Sequence, residues 1–516
     1  MRSPVLDNLF RDDSVQTILS KAERLVWESQ IELESTYSAS DWATVCRTAF
    51  LLSTAALTSS IEEKDYAVEA YNLLAVYPIY EREARETLES IVGFDFQDAH
   101  IIYYFYLASL ALKLDKTITA RLVLNRYDAT EVPEEANWDR RTLYIIMKSL
   151  LLLVRKHKGI EDIREALRLI EILRRQQKLF EDEYISNIPL QEQQQKALSL
   201  VAVYHVSKAV YDTAEYLVNG YNQQQRRITS SVRQHIDIAM QLIDKQSRLN
   251  DFFKIIGNDL QLLIKNSIWR LTGFHDDIRR LCRAKANSGV LELLPSQQSA
   301  LEDNMLNVAA NAIVLQMPTS AGKTLMAEFN ILVTRSLRSD AKIVYVVPSR
   351  ALMNQVYFDL RDDLCSLGLT IERTSSAVEV DPTESRFLLS ERIDILVCTP
   401  EKLDLLIRRG HSSVEDVSLF IIDEAHTIAN GQRGARLELL MTMLKRERPN
   451  AKFMLLSPFL PNAGEIMSRW LGGGNSIQID WRPSEKIVLG LKLNRGKVKY
   501  TVLPTALGTT VTAEQT

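Results

Sequence analysis

The chain changes texture near residue 288. Ahead of that point apolar side chains recur at three- and four-residue spacing with few interruptions, as in Ile101–Lys113 (IIYYFYLASLALK) and Asp162–Leu173 (DIREALRLIEIL). This spacing gathers them on one stripe of a helix, so the stretch predicts an all-helical domain. Residues 98–127 and 137–180 read as antiparallel helix pairs. No fixed period aligns them, and a degenerate helical-repeat array and an irregular α-domain both fit. After residue 290 the pattern becomes short apolar runs: Ala312–Gln316, Lys342–Val347, Ile393–Cys398, Leu419–Ile422 and Lys452–Leu456. Stretches of helical spacing lie between them, at Leu325–Leu337, Ala351–Leu367 and Ala435–Lys445. Apolar strands alternating with helices predict a parallel sheet covered on both faces, with ligands at the carboxyl ends of its strands.

Composition sharpens the division. Only five of the eighteen glycines precede residue 289, as expected of a long helical stretch. At 516 residues the chain exceeds one ordinary core. The expected organisation is α + α/β, with an all-helical accessory domain over 1–285 and a parallel-sheet phosphate-loop domain over 286–485. Residues 486–516 hold two strand-like runs, Lys486–Leu493 and Val498–Leu503, before a weakly structured Thr505–Thr516.

A net charge of −4 excludes a global basic field, so any nucleic-acid contact must sit in a local groove. Cys46, Cys282, Cys365 and Cys398 form no C-x-x-C pair, which argues against zinc and disulfides and for a reducing compartment. The acidic start MRSPVLDNLFRDD has no apolar signal segment. Leu143–Val154 is too short to span a bilayer and reads as a buried core helix. A cytoplasmic protein with no membrane partner is expected.

Two segments carry chemistry. After the first strand comes Met317-Pro-Thr-Ser-Ala-Gly-Lys-Thr324, opening directly into a helix. Backbone N–H groups of such a loop cradle phosphate; Lys323 reaches the outer phosphates and Thr324 offers its hydroxyl to Mg²⁺. Met317 occupies the place where the general pattern has glycine. The strand Leu419–Ile422 delivers Asp423 and Glu424 at its tip. Asp423 is placed to hold the metal through water and Glu424 to orient and deprotonate an attacking water. His426 is either a hydrogen-bonded loop histidine or a link to the neighbouring motif.

With these residues in place, 290–485 resembles the first RecA-like domain of the DExH superfamily 2 helicases, on the Ski-like branch that includes archaeal repair helicases. Leu294-Pro-Ser-Gln297 with Ala300 is similar to the Q motif and Pro318–Thr324 to motif I. Val347–Leu352 is similar to motif Ia, Thr399–Asp404 to motif Ib and Asp423-Glu-Ala-His426 to motif II. Arg433-Gly434 with Leu437-Glu438 resembles a branch signature, and Leu460-Pro-Asn462 with Trp470-Leu-Gly472 the segment after motif III. The resemblance implies ATP and Mg²⁺ as cofactors, with nucleotide contacts from Gln297, Thr319, Ser320, Ala321, Gly322, Lys323 and Thr324. It implies catalysis by Lys323, Asp423, Glu424 and His426, and a metal held by Thr324 and Asp423. It further implies nucleic-acid contacts from Arg350, Thr399, Pro400 and Lys402, on DNA or RNA with DNA favoured. For Arg350 and Lys402 the alternative is an ordinary surface charge.

Two departures stand out. Ser457-Pro458-Phe459 replaces the usual Ser-Ala-Thr of motif III, which removes a hydroxyl and stiffens the turn. Too few residues follow for a second RecA-like domain, which would need roughly 150 more, and no stretch resembles motifs V or VI, so no arginine finger is available in cis. The chain therefore reads as the front part of a longer helicase, with 486–516 as the start of a missing second RecA-like domain or a linker. A Ski-branch motor preceded by a helical domain resembles the helicase subunit of bacterial anti-phage systems such as Hachiman, which implies a nuclease as effector partner. The competing expectation is a nucleotide-gated sensor that holds an effector without processive unwinding. The altered motif III and the absent arginine finger favour the sensor, and intact motifs I and II favour the motor.

Overall fold

The computed structural model describes residues 39–58, 64–75, 96–125, 138–186, 189–220, 228–244, 248–273, 276–374, 393–458, 463–482, 488–494, 497–503 and 511–515, with positions 13, 16 and 17 besides. They form two compact units, Met1–Lys265 with Ser484–Thr516, and Asn266–Pro483.

The first unit is built of helices: α1 (Ala39–Thr58), α2 (Lys64–Ala75), α3 (Phe96–Lys113), α4 (Thr117–Leu124), α5 (Trp138–Arg155), α6 (Ile160–Ser186), α7 (Leu190–Asn219), α8 (Ile228–Leu242) and α9 (Arg248–Asn266). The expected pairs 98–127 and 137–180 appear as α3 with α4 and α5 with α6. Helices α5 to α8 pack on one another in chain order, and Gln177 donates from α6 to the Leu200 carbonyl of α7 at 3.1 Å. Every side chain of Ile101–Leu112 is buried. A helix apolar all round belongs in the middle of a bundle rather than at its surface, and α5 is nearly as enclosed from Tyr144 to Val154.

An acid of α9 lies inside this bundle. Asp259 on α9 is 2% exposed, and the Ser109 hydroxyl oxygen lies 2.5 Å from its Oδ2 and 3.0 Å from the Phe105 carbonyl. A hydroxyl has one proton, so both contacts are satisfied together when a protonated Asp259 donates to Ser109 and Ser109 donates to Phe105. Burial pushes the Asp259 carboxyl up to about 8, against the smaller opposing effects of Ser109 and Lys113. The folded chain thus keeps a proton that the unfolded chain releases near pH 4. Stability of this unit is expected to fall as pH rises from about 4 to about 8, by at most about 1.4 kcal/mol per pH unit from this group. Denaturant titrations at both ends of that window check it; Asp259→Asn should flatten the decline.

The second unit begins with a 3₁₀ turn, Ile268–Gly273, then α10 (Asp276–Asn287) and α11 (Pro295–Glu302). There follow β1 (Ala312–Gln316), α12 (Lys323–Leu337), β2 (Lys342–Val346), α13 (Arg350–Leu364), β3 (Ile371–Arg373), β4 (Ile395–Cys398), α14 (Pro400–Arg408) and β5 (Val417–Ile422). The unit closes with α15 (Gly431–Glu447), β6 (Lys452–Ser457), α16 (Ala463–Trp470) and β7 (Gly474–Gln478). All seven strands are parallel, in the order β3-β4-β2-β5-β6-β1-β7. Alternate strand residues, Val314, Val344, Leu396, Phe420 and Phe453, pack against Leu403 of α14 and Leu437, Leu440 and Met441 of α15. The opposite set, which includes Tyr345, points to the other face. This is the expected α + α/β organisation.

Sequence periodicity divides the chain at 285/286, whereas packing divides it at 265/266. The difference is α10, which buries Ile278, Leu281, Cys282 and Ala286 within the second unit. Two strands escape the sequence pattern. β3 is three residues long, and β7 is a mostly polar run, Gly-Asn-Ser-Ile-Gln, whose Gly474 sits so close to β1 that a Cβ there would fall 1.8 Å from the Ala312 carbonyl oxygen. Past the second unit, β8 (Val488–Asn494), β9 (Lys497–Leu503) and β10 (Val511–Gln515) pair antiparallel. Val511–Gln515 thus forms a strand where weak structure was expected, and 504–510 lie outside the described residues. Among the described residues Cys282, Cys365 and Cys398 are free thiols, no cluster of three metal-ligating side chains occurs, and no helix is long and apolar enough to cross a membrane.

Candidate active site

The sheet order brings the two chemical segments together. β1 and β5 both flank β6, so the phosphate loop and the acid pair emerge at the same end of the sheet, two strand spacings or about 10 Å apart. Between them β6 ends at Ser457, whose carbonyl accepts from Met317 N–H at 2.9 Å. Met317 is fully buried, which accounts for a large apolar residue where a glycine is usual.

The loop turns through two left-handed residues, Ser320 (φ 65°) and Gly322 (φ 84°), and Gly322 caps α12. Thr319 and Ser320 are exposed, Ala321 is buried, and Lys323 and Thr324 are partly buried at the head of α12. From α11, Ser296 donates to the Ala321 carbonyl at 2.9 Å and Gln297 Nε2 donates to the Gly322 carbonyl at 3.1 Å. The Gln297 amide oxygen accepts Leu294 N–H at 2.8 Å. Gln297 is buried and braces the phosphate loop; a Cβ on Gly322 would come within 2.1 Å of its Nε2.

Lys323 Nζ is a buried ammonium without a hydrogen-bond acceptor, 3.8 Å from Glu424 Oε1. A buried donor left unmatched is costly unless a ligand supplies the acceptor. Glu424 Oε2 lies 3.1 Å from His426 Nδ1, an approach without hydrogen-bond geometry. Glu424 itself sits at φ 50°, a strained conformation for a non-glycine residue and one concentrated at functional sites. Asp423 Oδ1 accepts Glu424 N–H at 2.8 Å, and its Oδ2 accepts the Tyr345 hydroxyl at 3.3 Å. Burial holds the Asp423 carboxyl above the usual carboxylate range, with the Glu424 charge adding to it; the Glu424 N–H, Lys323 and Tyr345 pull the other way. An unmatched ammonium, a loop of N–H donors and an anchored carboxylate form a donor set that fits a nucleotide phosphate with Mg²⁺.

Motifs Ia and Ib also meet. β2 and β4 are neighbours, with Val346 opposite Cys398 and Val347 N–H donating to the Cys398 carbonyl at 3.0 Å. Arg350 opens α13 and is exposed; Thr399 precedes α14 with Pro400 at its first position and the partly buried Lys402 in its first turn. The Thr399 hydroxyl makes no capping bond. A cleft of about 680 Å³ adjoins these residues, between α14 and α15, lined among others by Pro348, Pro400, Arg408, Arg433, Arg436 and Leu437. Of the segment after motif III, Trp470–Gly472 closes α16, whereas Leu460–Asn462 lie outside the described residues.

Sequence reading missed Tyr345, Ser296 and a buried ion cluster behind the phosphate loop. Glu328 on α12 is fully buried, with Lys285 of α10 at 3.2 Å; the same ammonium pairs with Asp363 of α13. Burial pushes the Glu328 carboxyl up to about 8, Lys285 pulling it back and Asp363 pushing further. The signal in the sequence is slight: one acid within the apolar run LMAEFNILV and one hydroxyl within KIVYVV.

Residues 294–465 match the family model described as DEAD/DEAH box helicase; this segment is a DEAD/DEAH helicase domain, and the match leaves out the helical unit. The ATP-dependent DNA helicase Hel308 of Thermococcus kodakarensis is 35% identical over 206 residues, 40% of this chain and 17% of that protein. Hachiman protein HamB of Bacillus cereus is 30% identical over 213 residues, covering 40% and 19% respectively. A crystal structure of the helicase MrfA bound to DNA aligns over 38% of this chain and 28% of its own at 21% identity, with a TM-score of 0.33, too low to add weight. The chain spans less than a third of the length of the curated relatives it matches.

Proposed function

We propose that this chain carries the ATP-binding lobe of an ATP-dependent helicase or translocase acting on nucleic acid. The observation behind this reading is the buried Lys323 ammonium without an acceptor, set beside Glu424 in a DEAD/DEAH helicase segment. Lys323 and the loop N–H groups of Thr319–Thr324 bind the phosphates, and Gln297 keeps the loop in shape and borders the base. Thr324 and Asp423 would hold Mg²⁺, which would supply charge screening at the phosphates. Glu424 orients the attacking water and takes its proton, while His426 links the nucleotide site to the neighbouring motif. Arg350, Thr399, Pro400 and Lys402 contact the nucleic-acid backbone without reading sequence, and Arg408, Arg433 and Arg436 extend that charge. DNA is the favoured strand type, since the Hel308 relatives are named as DNA helicases.

The finer reading is anti-phage defence with a nuclease partner, supported by the likeness to HamB and by a helical unit ahead of the motor. A second reading, a nucleotide-gated sensor, rests on the altered motif III, where the Ser457 hydroxyl donates to the adjacent Pro458 carbonyl at 2.8 Å and so is turned onto its own chain. The deciding measurement is ATP turnover with and without single-stranded DNA and RNA, in this chain and in a longer protein that carries a second motor lobe. Stimulation by nucleic acid supports the motor, whereas nucleotide binding with unstimulated turnover in every case supports the sensor.

A further inference from the structure

Asp423 is fixed at both carboxylate oxygens. Oδ1 accepts a backbone N–H, and Oδ2 accepts a side chain from another strand, the hydroxyl of Tyr345. Tyr345 lies on β2, beside β5 and opposite Ile421, and is fully buried. The rest of β2 from Ile343 to Val346 is aliphatic, so packing alone gives no reason for a hydroxyl there, and a buried phenol requires a partner. The oxygen within its reach is the Asp423 carboxylate Oδ2, an acceptor, so the phenol acts as donor. The backbone beneath is held too, since Asp423 N–H donates to the Val346 carbonyl at 2.8 Å. Strand β2 therefore supports the acid at both its main chain and its side chain.

We infer that Tyr345 is a positioning residue, whose hydroxyl sets the orientation of the Asp423 carboxylate toward the divalent cation that accompanies the nucleotide. The inference rests on the proposed role of Asp423. A carboxylate with one oxygen on a backbone N–H retains rotation about its side-chain bonds, and the Tyr345 bond removes it. Outer contacts of this kind commonly change metal affinity about 10-fold or more when deleted.

Tyr345→Phe deletes one oxygen and keeps the ring that fills the core. The test titrates Mg²⁺ against binding of a fluorescent ATP analogue to wild type, Tyr345→Phe and Asp423→Asn, with melting followed in parallel and Mn²⁺ as a second cation. In Tyr345→Phe the Mg²⁺ and Mn²⁺ midpoints are expected to rise about 10-fold, with binding in chelator unchanged and saturating Mg²⁺ restoring wild-type affinity. Asp423→Asn should lose the cation response. If Asp423→Asn responds to Mg²⁺ like wild type, the role of Asp423 fails and the inference falls with it. If Asp423→Asn loses the response while Tyr345→Phe keeps the wild-type midpoint, the positioning role alone is overturned. A lower melting temperature with an unchanged cation midpoint overturns it equally, marking the bond as structural.

Discussion

Replacing Glu424 with Gln is expected to lower nucleic-acid-stimulated ATP turnover by about 10²–10⁴-fold while leaving nucleotide affinity nearly unchanged. The amide keeps the size of the side chain and can still restrain water, but it cannot take a proton. Lys323→Ala should act at the other stage. It removes the buried ammonium, and a charge-assisted contact of about 1.5–3 kcal/mol corresponds to roughly 10–150-fold weaker nucleotide binding. Equilibrium binding of a labelled nucleotide and single-turnover hydrolysis separate the two effects. Equal losses of binding in both variants would remove the division of labour drawn from the Lys323–Glu424 contact. Coupling between sites adds a discriminating outcome: if an effector responds normally in Glu424→Gln, occupancy rather than turnover is the signal, and the sensor reading prevails.

The second large effect concerns stability. Lys285→Ala strips a buried acid cluster of its cation, leaving Glu328 fully enclosed and Asp363 partly so. Breaking such a pair from one side costs up to about 3–5 kcal/mol, reduced to the extent that Glu328, its carboxyl pushed up to about 8, takes up a proton. Because the uncompensated acid is the cause, Lys285→Ala combined with Glu328→Gln should recover much of the loss, and a double-mutant cycle by denaturant unfolding measures it. A fragment starting at residue 286 lacks the whole of α10 up to Lys285 and should be less stable than one starting at 266, although both contain the segment 294–465 that matches the helicase family. Equal stability of the two fragments would mean that the cluster contributes little.

Local chemistry was legible wherever it was local in sequence. The phosphate loop and the acid pair each occupy eight consecutive residues or fewer, and strand, turn and helix signals around them agree with one another. The central strands and the helices between them follow from apolar period alone. β3 and β7 were not legible, because a three-residue strand has no period and Gly474-Asn-Ser-Ile-Gln478 holds one large apolar side chain, too few to show a period. Gln297 shows the same divide within one residue. The sequence places it near the nucleotide through a resemblance, whereas the bond to the Gly322 carbonyl appears only once α11 and the loop are folded together.

What the sequence by itself determined is the class of each half and the residues at the head of each strand, since periodicity and turn chemistry are properties of neighbours along the chain. What only the tertiary structure decided is which of those heads meet: the strand order that sets β6 between the two motifs, the pairing of β2 with β5 that brings Tyr345 under Asp423, and the reach of Lys285 across to residues 328 and 363. Such contacts join positions dozens of residues apart, and no local propensity encodes a distance between them. They exist because a buried charge or hydroxyl must find a partner, and only the folded sheet fixes which partner is near enough.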